Sequence, residues 1–131
     1  MYNREFTPEW IKELKENEVF VFGSNLGGFH AGGAARVALN SFGAVWGQGV
    51  GLQGQSYAIP TMHGGVDVIK PYVDDFIAFA REHKELKFLV TPIGCGIAGF
   101  TFHDMAPLFA DAIDDENIIL PKPFVKVIEN L

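Results

Sequence analysis

Two stretches of the chain place glycines directly after short apolar runs. The first follows Val19-Phe20-Val21-Phe22 and contains Gly23, Ser24, Asn25, Gly27, Gly28, Gly32 and Gly33. The second follows Phe88-Leu89-Val90 and reads Thr91-Pro92-Ile93-Gly94-Cys95-Gly96-Ile97-Ala98-Gly99-Phe100. Loops without side chains let backbone N–H groups approach an anion, and a helix opening from such a loop adds its dipole. Two of them after two strands could grip two phosphates, or both sides of a pyrophosphate. Neither has the G-x-x-x-x-G-K-[ST] pattern of a P-loop or the G-x-G-x-x-G dinucleotide fingerprint. Cys95 between glycines, with His103 eight residues on, has the residue types of an activated nucleophile, but a small buried cysteine in a tight loop is the reading preferred here. His30 lies within the first loop, in reach of a bound ribose or phosphate. The other histidines are scattered, with no Cys/His cluster of metal-ligand spacing, so no metal site is expected.

The elements that must position these loops alternate between strand and helix patterns. Residues 19–22 carry no charge, as in a strand buried on both faces. Ala35, Ala38, Leu39 and Phe42 mark a helix to about residue 41 that stops at Phe42-Gly43. Ser56-Tyr57-Ala58-Ile59-Pro60 reads as a second strand, residues 61–66 as a turn, and Val73, Phe76, Ile77 and Ala80 as the apolar stripe of the clearest helix, with Pro71 in its first turn. Residues 87–91 form a third strand and Ile118-Ile119-Leu120 a fourth. Thr101 and Asp104 have capping-box spacing for a helix carrying Met105, Leu108, Phe109 and Ala112, with Pro107 near its start. Thr7-Pro8-Glu9 has the signature of a further helix start, with Trp10, Ile11 and Leu14 as its stripe to about residue 16. Residues 44–55 read as an aperiodic loop whose Trp46, Val50 and Leu52 call for burial. The tail, 121–131, is ambiguous, with Phe124, Val127, Ile128 and Leu131 at helical spacing. The alternation predicts one α/β domain with a largely parallel sheet and helices on both faces, and a ligand site at the carboxyl ends of the strands.

Composition narrows the partners. A net charge of -6 leaves no excess of Lys and Arg for a nucleic-acid surface, although one nucleotide can be held by backbone amides alone. The single cysteine excludes an intrachain disulfide and points to a reducing compartment. No signal-peptide pattern and no apolar run of membrane-spanning length are visible, so a soluble, cytoplasmic protein is expected, with no membrane partner.

Taken in order, Ser24-Asn25-Leu26, His30-Ala31-Gly32-Gly33-Ala34-Ala35, Phe42-Gly43-Ala44 and Thr91-Pro92-Ile93-Gly94-Cys95-Gly96-Ile97-Ala98-Gly99 resemble the ligand loops of macrodomains. The likeness covers about residues 19–120 and is nearest the branch containing terminal ADP-ribose protein glycohydrolase, which has a similar Ile-Gly-Cys-Gly loop. It implies a three-layer α/β/α fold that binds ADP-ribose and uses no cofactor. By position, Asn25 would contact the distal ribose. Gly32, Gly33 and Ala34, with Ser24 beside them, would line the diphosphate and ribose. Gly94, Cys95, Gly96, Ile97, Ala98 and Gly99 would form the diphosphate loop, and Phe100 would pack on the ribose. The sequence departs from that branch at its catalytic pair: Ala98 stands where the Asp belongs, and Leu39-Asn40-Ser41 contains no lysine. Where many macrodomains carry an Asp for the adenine amine, only Asn17 and Glu18 are at hand. Trp46 and the glutamines of 44–55 could close over a base, or Trp46 could anchor the core. The resemblance therefore implies a module for ADP-ribose or a related nucleotide diphosphate. The alternatives are a hydrolase working by substrate-assisted water attack, with Asn25 and His30 as catalytic candidates, or a partner-binding domain without ligand.

Overall fold

A computed structural model describes residues 4–131. Its centre is β1, Glu18–Ser24, whose residues 19–22 are all buried. On one side β1 pairs in parallel with β3 (Ser56–Pro60), Phe22 opposite Ala58 and Ser24 opposite Pro60. On the other it pairs in parallel with β4 (Lys87–Val90), Val21 opposite Val90. β5 (Ile118–Ile119) continues that edge in parallel, and β2 (Gly51–Gln53) adds to β3 antiparallel, giving the order β2-β3-β1-β4-β5. The sheet is thus mixed, with four of its five strands parallel.

Alternation along β1 builds two cores, because successive strand side chains point to opposite faces. Val19 and Val21 join Tyr57, Ile59, Phe88 and Val90 under α2 (Val66–Glu82) and the segment 102–125. Phe20 and Phe22 join Ala58 under α1 (Gly33–Ser41). Phe76 of α2 sits at the middle of the larger core, its ring 5.1 Å from that of Tyr57 and 5.5 Å from that of Phe88. No helix among the described residues is long and apolar enough to cross a membrane.

Several expectations are corrected. Residues 7–16 are not helical. Phe6 bridges to Leu120, the Thr7 N–H donates to the Leu120 carbonyl at 2.9 Å, and the Thr7 hydroxyl donates to the Ile119 carbonyl at 2.9 Å. A residue before proline is biased toward extended backbone, and at Thr7 that bias feeds a sheet edge rather than an N-cap. Trp10 is 83% exposed. The stretch 44–55 is not wholly loop, since it contains β2, joined to β3 by the two-residue turn Gly54-Gln55. Gly54 has φ +60°, the backbone such a hairpin asks of its first turn residue. Trp46, Val50 and Leu52 are exposed, not buried. Pro71 lies in the second turn of α2, not the first.

The segment after the second glycine loop is a short α3 (Phe102–Met105) that passes into a 3-10 helix, Ala106–Ala112. Pro107 has no N–H to continue the α ladder, which accounts for the change of winding. The tail resolves as α4, Lys122–Glu129, burying Phe124 and Val125.

The capping box of α3 is formed. The Thr101 hydroxyl accepts from the Asp104 N–H at 3.1 Å, and the Asp104 carboxylate accepts from the Thr101 N–H at 2.9 Å. That second bond holds the Asp104 carboxyl below its ordinary pKa. Its contribution to stability is therefore present above the usual carboxylate pKa and is lost as pH falls through the depressed value. Thr101→Ala should cost about 1 kcal/mol in urea unfolding at pH 7, because it removes the acceptor of the Asp104 N–H while leaving the backbone N–H that the carboxylate accepts from.

Candidate functional site

A cleft of about 490 Å³ opens at the carboxyl ends of β1, β3 and β4. The chain leaves β1 toward β3 and later returns to β4 on the other side, so the cleft lies at a switch point of the sheet, where ligands bind in open α/β folds. Gly23 and Ser24 end β1, Thr61 and Met62 follow β3, and residues 91–98 follow β4. The first turn of α1 supplies the remaining wall. Both glycine-rich loops of the sequence therefore reach one cleft.

The lining contains no ionisable side chain. What it offers is backbone. The N–H groups of Gly32, Gly33, Ala34 and Ala35 have no acceptor among the described residues, and neither do those of Gly94, Gly96, Ile97 and Ala98. The first four belong to a helix N-terminus, where intrahelical partners do not exist. Gly32, the N-cap, has no side chain to cover them. The second four stay open because the tight turn takes other amides: Cys95 donates to Pro92, Gly99 to Gly96, and Phe100 to Gly94. Ile97, 75% exposed, leans from the second loop toward the first. Its Cδ1 is 3.4 Å from where a Cβ on Gly32 would stand.

The structure brings Ser24, Asn25, Gly32, Gly33, Ala34, Gly94, Gly96, Ile97 and Ala98 to the cleft wall. Asn25 is tied to its own loop: its Oδ1 accepts from the Phe29 N–H at 2.8 Å and its Nδ2 donates to the Phe29 carbonyl at 3.1 Å. Each end keeps one further hydrogen-bonding site. The Ser24 hydroxyl donates to the Gly49 carbonyl.

Other candidates lie elsewhere. Cys95 and Phe100 are not in the cleft wall and pack against the larger core. Burial, with the Asp104 charge adding to it, pushes the Cys95 thiol up to about 11, so a thiolate nucleophile is absent at neutral pH. Gly99 is exposed beside the cleft rather than in its wall. His30 does not reach the cleft. It is fully buried, edge-on to Phe22, with Nε2 3.2 Å from Gln53 Oε1. Glu18 opens β1 at the end opposite the cleft, and Asn17 precedes it, so neither is placed to read a base there.

Residues 44–55 brace the first loop. A Cβ on Gly49 would collide with the Asn25 and Leu26 carbonyls, and one on Gly28 would collide with the backbone of Gly47 and Gln48. The Gly47 N–H donates to the Gly28 carbonyl at 2.9 Å. The glutamines are taken up by backbone. Gln53 donates to the carbonyls of Gln48 and Gly51, Gln48 to those of Val50 and Leu52, and Gln55 to those of Lys15 and Glu18. They are not free to close over a base. Trp46, 54% exposed, meets Phe29 edge-on at 5.8 Å, and Phe29 lines the cleft.

Sequence reading missed Phe29, Met62 and Thr61 as wall residues. Thr61 had a usable signal, since it directly follows a strand predicted to end at the ligand edge. Compared with known proteins, the chain matches no family model, no curated protein and no solved structure.

The brace and the buried thiol each make a prediction. Gly49→Ala should lower stability by about 1–3 kcal/mol or more in chemical denaturation, because the obstruction is backbone and cannot swing away. Cys95 in the folded protein should stay unmodified by iodoacetamide at pH 7.5 under conditions that label it fully in urea.

Proposed function

We propose that the cleft binds ADP-ribose or a related nucleotide diphosphate derivative, held by backbone amides between the two loops, in a three-layer α/β/α domain of macrodomain type. One observation carries this reading: eight N–H groups without acceptors belong to residues of two separate loops that line one cleft. Donors clustered around an open cleft suit a group with many acceptor oxygens, and a diphosphate is such a group. The cleft volume of about 490 Å³ falls within the usual span of small-molecule sites. Apolar Phe29, Met62 and Ile97 at the same wall give the uncharged parts of a nucleotide something to pack on.

Binding is favoured over hydrolysis. The wall holds no acid or base, Ala98 stands where the related hydrolase branch has its Asp, and His30 is enclosed in the core. A hydrolytic step would fall to the substrate itself and a water held near Asn25.

At about 100 times its dissociation constant, ADP-ribose should stabilise the fold by about 2.7 kcal/mol, a rise of several degrees in melting temperature. Gly96→Glu is the matching control. A side chain there meets nothing within 4 Å and the backbone is not left-handed, so the fold should persist while a carboxylate enters the ring of open amides. The shift should vanish in that variant. No shift in the wild type at millimolar ADP-ribose would overturn the reading.

A further inference from the structure

Three hydroxyl side chains line the cleft, on Ser24, Thr61 and Thr91. Two are engaged within the chain. Ser24 donates to the Gly49 carbonyl and Thr91 donates to the Val21 carbonyl at 2.7 Å. The Thr61 hydroxyl has no hydrogen-bond partner among the described residues, although Thr61 is only 4% exposed. Hydroxyl groups in folded proteins are nearly all satisfied by protein, water or ligand. This one is not sealed in the core, because His30 Nδ1 is the one unpartnered side-chain nitrogen or oxygen fully shut off from solvent among the described residues. The remaining opening for Thr61 is the cleft that it lines.

Its position is fixed. The Thr61 N–H donates to the Ser24 carbonyl at 2.9 Å, continuing the β1–β3 ladder. Directly beside it is the bare Cα of Gly23. A Cβ there would stand 3.3 Å from Thr61 Oγ1, 3.4 Å from Ile93 Cγ2 and 3.5 Å from the Gly94 nitrogen. The Gly94 N–H is one of the open amides of the second loop. The missing side chain thus leaves a notch in the cleft floor with a hydroxyl on one side and an amide N–H on the other.

We propose that this notch takes one phosphoryl oxygen of the bound diphosphate, with Thr61 Oγ–H and Gly94 N–H as its two donors. The assignment rests on the nucleotide diphosphate reading of the cleft and makes Thr61 the side chain that adds selectivity to an otherwise backbone-built site. Two donors that border the same small space suit an anionic oxygen. A glycine at position 23 is needed because even a methyl group fills the notch.

The test is calorimetric titration of wild type, Thr61→Val, Thr61→Ser and Gly23→Ala with ADP-ribose and with ADP. Thr61→Val keeps the shape and removes the hydroxyl. It should weaken both ligands about tenfold or more, the usual scale for a hydrogen bond to a charged group. Thr61→Ser should bind like wild type, and Gly23→Ala should weaken both. The ligand-free melting temperature of Thr61→Val should not fall, because no internal hydrogen bond is lost, whereas Thr91→Val should melt lower. Undiminished binding of both ligands by Thr61→Val would overturn the role of Thr61 and leave the diphosphate reading standing. Loss confined to ADP-ribose, or a wild type that binds ADP-ribose but not ADP, would overturn the assignment to a phosphoryl oxygen. A wild type that binds neither would remove both readings together.

Discussion

The backbone of Gly49 lies against the carbonyls of Asn25 and Leu26 so closely that no side chain fits between them. The shape of the candidate site follows from that contact. The first glycine-rich loop has few side chains to hold itself in place. Its conformation is set from outside by residues 44–55, through Gly49, the Gly47–Gly28 hydrogen bond and the hydroxyl of Ser24, and by His63, whose Nε2 accepts from the Leu26 N–H at 2.7 Å. The brace is itself rigid because the Gln48 and Gln53 side chains tie its carbonyls, and Gln53 is buried against His30. Open amides are useful to an anion only when they are held in place beforehand. Otherwise the binding free energy must first offset the ordering of the loop.

This division of labour explains what could be read from residue order alone. The uncharged run 19–22 and the stripe Val73, Phe76, Ile77 and Ala80 announce their elements, because burial dictates their composition directly. The two loops stand out as well, because each sets several glycines directly after an apolar run. Residues 44–55 were opaque for the opposite reason. Gly47 and Gly49 serve contact with the backbone of the first loop, Gln48 and Gln53 serve carbonyls within the same segment, and Gln55 serves those of Lys15 and Glu18. None of these leaves a period. Thr7-Pro8 misled because N-cap chemistry and sheet-edge chemistry use the same hydroxyl and the same extended backbone. His30 and Cys95 have reactive side chains within the loops, yet each turns to a core, and orientation of that kind is not written in spacing.

Electrostatically the cleft is unusual for an acidic chain. With a net charge of -6 and no ionisable group in its wall, attraction for an anion would come from peptide dipoles and neutral side-chain donors such as the Thr61 hydroxyl. Such dipoles act over short distances and give little long-range steering against the overall negative field. They also change little with pH across the neutral range. A site of this type selects by fit and by the count of donors rather than by charge.

The chain has two tryptophans, and both lie outside the cores: Trp10 on the amino-terminal segment and Trp46 against Phe29 at the rim of the cleft. Tryptophan emission responds to the polarity around the indole. In this protein emission excited selectively from tryptophan reports on the surface rather than the interior. The twelve phenylalanines, several of which fill the cores, are nearly silent in the same window. Trp46 thereby becomes a native spectroscopic probe of the rim, and a Trp10→Phe background would isolate it without disturbing a buried side chain.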